Sequence, residues 1–191
     1  MKTFYIDTFK TSITRVELNL NLKSLSKFCF NLEKKQQSNY LSNIGGFQSK
    51  NLNLNDLSIR ELLNAIDMHV NTTGKEIYKF KNKLKISNMW LNINRYKDFN
   101  CTHNHPFSIL SGVFYVKVPK NSGNIAFVND FPITEFVSET FMEEFNNYNC
   151  KTYNFNSEEN VLYIFPSWLK HTVGPNLSQK ERISFSFNTQ F

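Results

Sequence analysis

The chain has 191 residues, 40% of them hydrophobic and 20% charged, with a formal net charge of +6. That length holds one domain with a real core, and no stretch approaches the roughly 20 apolar residues of a membrane-spanning helix. Cys29, Cys101 and Cys150 are an odd, scattered set that excludes a disulfide framework and a CxxC metal site.

Taken in chain order, residues 3–9 and 12–19 are expected to form short strands. The N-terminus lacks the apolar centre of a signal peptide, so a cytoplasmic protein is expected. Over residues 21–38, Leu22, Leu25, Phe28 and Leu32 recur at helical spacing. A polar loop containing Gly45 and Gly46 follows. Asn55 or Asp56 is placed to cap a second helix whose apolar stripe is Ile59, Leu62, Leu63 and Ile66, with a break expected near Gly74 and an end near residue 82.

After residue 85 the pattern turns to short strands, expected at 86–96, 101–105, 108–118, 124–129, 150–154, 161–165, 169–173 and 182–189. Helices first and many strands later predict a mainly β protein, a jelly roll flanked by helices. The expected organisation is one domain over 1–191, with a helical part at about 20–84 packing on a β core at about 86–191. The lysines are spread along the chain, and a solvated face accounts for the positive charge better than a nucleic acid partner.

Four histidines are present. His69 falls on a helix and reads as structural or exposed. His103 and His105 are two apart, so on a strand both rings share one face, and His171 follows on a later strand. Such a set makes a metal site with open positions, which suits non-haem Fe(II), although imidazole also binds Zn, Cu and Ni. The last strand alternates strictly. Ile183, Phe185 and Phe187 form one face, and Arg182, Ser184, Ser186 and Asn188 form the other. Arg182 can grip a carboxylate with two parallel hydrogen bonds, and Ser184 can add a third. Asn92 lies on a similar polar face of the first long strand, and Tyr115 can place its hydroxyl near Arg182.

Several segments together resemble a known family. They are Ser42-Asn43-Ile44-Gly45-Gly46-Phe47-Gln48-Ser49, Trp90-Leu91-Asn92, His103-Asn104-His105-Pro106 leading into Leu110-Ser111-Gly112-Val113-Phe114-Tyr115, and Leu162-Tyr163-Ile164-Phe165-Pro166-Ser167-Trp168, closed by His171 and Glu181-Arg182-Ile183-Ser184. In their order and spacing the chain resembles the 2-oxoglutarate/Fe(II) oxygenases of marine bacteria and their phages, relatives of prolyl hydroxylases. The resemblance implies a double-stranded β-helix, one Fe(II), and 2-oxoglutarate as co-substrate. It implies metal binding through His103, His171 and His105, and co-substrate binding through Arg182, Ser184, Tyr115 and Asn92, with no catalytic residue beyond the metal ligands. The departure is at His105, where the wider superfamily has a carboxylate. Either three histidines bind, or His103 and His171 bind alone and water or Asp130 completes the sphere.

The implied partners are O2 and an unidentified substrate, with no membrane and no clear nucleic acid partner; a homodimer stays open. If the chain is phage-encoded, the expected compartment is the host cytoplasm. The implied activity is hydroxylation coupled to conversion of 2-oxoglutarate to succinate. The alternatives are a cupin-like three-histidine metal protein that does not use 2-oxoglutarate and a non-catalytic structural jelly roll.

Overall fold

The computed structural model describes residues 1–191. Two helices precede most of the strands. Helix α1 (Leu22–Glu33) starts where the Asn21 side chain accepts a hydrogen bond from the Ser24 amide, and it buries Leu25 and Cys29. Helix α2 (Arg60–Glu76) follows a 3-10 turn over Leu57–Ile59, capped by Asp56 through the Ser58 amide. Its apolar stripe buries Leu62, Ile66 and Val70. The expected break near Gly74 does not occur. Gly74 is itself buried, on the face that carries Val70 and Thr73, and the helix runs unbroken to Glu76, short of the end expected near residue 82.

Eleven strands follow from the chain: β1 (Thr14–Glu17), β2 (Asn43–Ile44), β3 (Phe47–Gln48), β4 (Lys85–Asn94), β5 (Phe99–His103), β6 (Leu110–Lys117), β7 (Ile125–Val128), β8 (Thr152–Phe155), β9 (Val161–Pro166), β10 (His171–Val173) and β11 (Arg182–Gln190). One sheet has the order β1-β9-β6-β11-β4-β3 and the other β2-β5-β10-β7-β8. All pairings are antiparallel. The mainly β jelly roll expected from the sequence is the fold observed.

The strand expectations need correction in places. Residues 3–9 form no strand, and Phe4, Tyr5 and Ile6 stay exposed because no neighbouring strand pairs with them. The short strands β2 and β3 were not anticipated. They flank Gly45 and Gly46, whose φ angles of 72° and 66° are in the left-handed region that glycine enters freely. This turn carries the chain from one sheet to the other, since β2 pairs with β5 and β3 with β4. Finally, the strand expected at 101–105 ends at His103.

The core has two parts. The larger packs α1, α2 and the loops around them on the outer face of the six-stranded sheet, where Ile183, Phe185 and Phe187 of β11 are fully buried. The smaller lies between the sheets, around Tyr115, Phe127, Tyr163 and Phe165. The helices therefore hold β11 from behind, and its other face is left to look into the space between the sheets. Phe185 stacks on Phe28 of α1 at a ring separation of 6.2 Å. Phe185→Ala is expected to cost about 3–5 kcal/mol through lost burial and a cavity. Urea denaturation of the two proteins measures it.

Candidate active site

The five-stranded sheet brings the histidines together. His171 pairs with His103 across β10 and β5, and with Phe127 across β10 and β7. His105 lies just past the end of β5, where its amide donates to the Ser167 carbonyl at 2.9 Å. Strand alternation thus explains only His103, and the turn that follows delivers His105. The ring centroids are 4.3 Å apart for His103 and His171, 5.2 Å for His103 and His105, and 5.0 Å for His105 and His171. The candidate ligand atoms all lie within 4.8 Å of one another, a grouping that could hold one metal ion.

The partners of these rings determine which nitrogen is free. His103 Nδ1 lies 2.7 Å from the Cys101 carbonyl oxygen, and His171 Nδ1 lies 3.0 Å from that of Leu169. A carbonyl oxygen can only accept, so both Nδ1 atoms carry the proton and both Nε2 lone pairs are free. His105 Nδ1 meets the side-chain oxygen of Asn188, which also accepts from the Ser111 hydroxyl at 2.7 Å. Ser111 is 2.9 Å from the same imidazole nitrogen and 2.7 Å from the Ser167 hydroxyl. This network gives His105 the same tautomer as the other two. Burial lowers the pKa of all three rings, to about 4 for His105 and about 3 for His171, so near neutral pH they are uncharged bases.

The six-stranded sheet builds the other end of the site. Ser184 pairs with Asn92 of β4 on one side and Tyr115 of β6 on the other, so the three side chains lie in a row on the inner face. Arg182, 1% exposed, sits one step along the same face. Its Nη1 donates to the carbonyls of Ser122, Gly123 and Gly174, while its Nη2 is buried with no partner. None of the chain's ion pairs includes it. The Tyr115 hydroxyl is likewise buried and unpartnered, and burial raises its pKa, so it remains a neutral donor. Asn92 Oδ1 is also unpartnered, while its Nδ2 lies 3.3 Å from the Ser186 hydroxyl. Turning that amide over would present its NH2 to the cavity and its oxygen to Ser186.

These residues share one cavity, lined among others by His103, His105, His171, Tyr115, Ser184 and Arg182. A wider cleft opens on the other side of His103 and His105 and includes Gln48, Trp90, Asn104 and Asn188. All seven residues singled out in the sequence therefore border one space. Asp130 does not join the histidines. Its carboxylate pairs with Lys170 at 2.9 Å, on a side chain 39% exposed. Cys101 is exposed and contributes only its carbonyl. The sequence reading missed the role of Ser111 and Ser167. It placed Asn188 on the polar face of β11, but alternation alone cannot say what that side chain meets.

The comparisons with known proteins agree with this geometry. Residues 88–188 match the family model described as "Putative 2OG-Fe(II) oxygenase", which spans more than half of the chain and both ends of the cavity. The chain belongs to this family of 2-oxoglutarate- and Fe(II)-dependent oxygenases. No curated protein sequence matches it. Among solved structures, it is similar to a prolyl-4-hydroxylase from Pseudomonas putida, with 13% identity and a TM-score of 0.66 over 94% of this chain and 92% of that one. It is also similar to the viral collagen prolyl hydroxylase of Paramecium Bursaria Chlorella virus-1 in its 2-oxoglutarate complex, with 12% identity and a TM-score of 0.61 over 93% and 94% of the two chains. A third is HygX from Streptomyces hygroscopicus with nickel and 2-oxoglutarate bound, at 8% identity and a TM-score of 0.64 over 94% and 82%.

Fe(II) and 2-oxoglutarate are the cofactors of this family of oxygenases, and the cavity suits both. Three free imidazole nitrogens converge at one end. At the other, a buried guanidinium nitrogen and a buried phenol lack acceptors, and a carboxylate would supply them. Gly123 is part of that arrangement. Its φ is 84°, and a Cβ added there would stand 2.2 Å from the Gly174 carbonyl oxygen and 2.8 Å from Arg182 Nη1. Gly123→Ala is expected to destabilise the fold by about 1–3 kcal/mol from backbone strain. It should also weaken 2-oxoglutarate binding by displacing Arg182. Thermal melting and calorimetric titration with 2-oxoglutarate read the two effects separately.

Proposed function

We propose that the chain, as one oxygenase domain over residues 1–191, is a hydroxylase that couples conversion of 2-oxoglutarate to succinate and CO2 with insertion of one oxygen atom of O2 into a substrate C–H bond. The observation that carries this reading is the single cavity that holds three free imidazole nitrogens at one end and an unpaired, buried Arg182 at the other. In it, His103, His105 and His171 hold Fe(II) through Nε2. Iron held by these three residues would supply the activation of O2 and of the 2-oxo acid.

The protein's own residues orient and shield. Arg182 and Ser184 hold the distal carboxylate of 2-oxoglutarate, Tyr115 donates to it, and Asn92 supports it. A guanidinium fork fits a carboxylate in a way a point charge cannot. Phe165, Val113, Ile125 and Val173 line the same cavity and limit water around the reacting groups. The substrate enters by the wider cleft, whose walls carry the side-chain amides of Gln48, Asn88, Asn104 and Asn188. Hydroxylation is favoured because two of the similar structures are prolyl hydroxylases covered almost end to end. No helix is long and apolar enough to cross a membrane.

The test is 2-oxoglutarate turnover. Protein loaded with Fe(II) should release succinate in air, and His103→Ala or His171→Ala should abolish that release and bind no Co(II). Arg182→Ala should weaken 2-oxoglutarate binding by a few hundred- to several thousand-fold, the equivalent of the roughly 3–5 kcal/mol lost when one side of a buried charge pair is removed. Arg182→Lys should recover only part of this. Calorimetry in the presence of Co(II) measures all three proteins, and equal affinities would remove Arg182 from the site.

A further inference from the structure

We infer that metal retention by this site is gated by 2-oxoglutarate, because the protein supplies no negative charge to the metal from either its ligands or their hydrogen-bond partners. The inference rests on the ligand assignment proposed above. The three candidate ligands are neutral imidazoles. Behind them stand the Cys101 and Leu169 carbonyls and the Asn188 amide, all neutral acceptors. Ser111 and Ser167 complete the network around His105 and are also neutral.

The surroundings do not compensate. The cavity is lined by one permanently charged side chain, Arg182, and its charge is positive. The open cleft beside His103 and His105 is lined by no Asp, Glu, Lys or Arg. Asp98 is near enough to favour the charged form of Arg182, but it lines neither space and is engaged with the Arg95 amide at 2.6 Å. Asp130, which follows the strand β7 that pairs with β10, is engaged with Lys170.

A divalent ion at the histidines therefore places two positive charges in a low-dielectric cavity that already contains a third. 2-Oxoglutarate brings two negative charges, one carboxylate for each end. Charge interactions at such separations are strong when water is displaced. Metal and co-substrate then bind as a pair, and by linkage each raises the other's affinity by the same factor. A carboxylate at residue 105 would cancel one of the metal's charges without the co-substrate and so loosen the pairing. Asn188 is a positioning residue in this account. It selects the tautomer of His105 while adding no charge. An aspartate there would keep the hydrogen bond and add the missing anion.

The experiment measures Co(II) affinity by competition with a chromophoric chelator, with and without saturating 2-oxoglutarate. It is run on the whole chain and on His105→Asp and Asn188→Asp. The wild type should bind Co(II) at least about tenfold more tightly when 2-oxoglutarate is present, within the usual range of coupling between sites. Titration of 2-oxoglutarate with and without Co(II) should return the same factor. Both variants should bind Co(II) more tightly than the wild type when 2-oxoglutarate is absent, and both should show a smaller factor. Direct chelation of the ion by 2-oxoglutarate contributes coupling in every protein, so the decrease in the variants is the decisive reading. Equal factors in all three proteins would overturn the inference and leave the oxygenase reading standing, whereas a wild type indifferent to 2-oxoglutarate would overturn both. No Co(II) binding by the wild type in either condition would overturn both. Asn188→Asp keeps His105 in place, so the test survives if His105→Asp fails to fold.

Discussion

Strand β11 lies between β4 and β6, and every second side chain along it is pinned. Ile183, Phe185 and Phe187 are fully buried against the helix-side core. Because side chains alternate across a strand, that burial leaves Arg182, Ser184, Ser186 and Asn188 facing the space between the sheets. A shift of one residue in register would put phenylalanine into the cavity and the guanidinium into the core, so the hydrophobic face of the strand enforces the polar one. The helices contribute nothing to the chemistry directly. They supply the apolar surface that makes this register the stable one.

The polar face of β11 then serves both ends of the site. Arg182 marks one end, and Asn188, at the other end of the same strand, sits against His105. The arginine is held in place by neutral carbonyls from the β6–β7 and β10–β11 connections, so it is oriented without being neutralised. A guanidinium buried in this way has a large unmet demand for an anion. The histidines are arranged on the same principle. Each donates through Nδ1 to a neutral acceptor, and burial keeps the rings uncharged. The resulting cavity has positive or neutral walls throughout. That character distinguishes it from a site with a carboxylate ligand, and it follows from the presence of His at position 105 with Asn at 188 behind it.

The sheets meet the outside at the β2–β3 turn. Ser42 accepts from the Cys101 amide on one side, and the turn at Gly45 and Gly46 returns the chain to β4 on the other. Gln48 and Ser42 thereby form part of the cleft wall opposite Asn104. A segment that reads in the sequence as a polar loop is thus a fixed wall of the cleft, held by strand pairing too short to leave a periodic signal.

Much of this protein was legible from sequence because its signals are local. Alternation in residues 182–188, helical spacing from Leu22 to Leu32 and from Ile59 to Ile66, and turn residues between short apolar runs each report on neighbours within one element. The residue types His103, His105, His171 and Arg182 narrowed the chemistry, since imidazoles and a guanidinium on polar strand faces suit few tasks. Other features depended on contacts between segments far apart in the chain. Pairing of β5 with β10 sets the approach of His103 to His171, and the Ser167 carbonyl places His105 after its strand has ended. Asn188 meets His105 across 83 residues of sequence, and Ser111 meets Ser167 across 56. The strand expected at residues 3–9 failed for the same reason in reverse, as it had a suitable pattern but no partner. Periodicity specifies which face of an element is apolar; only the packed sheets decide what the other face meets.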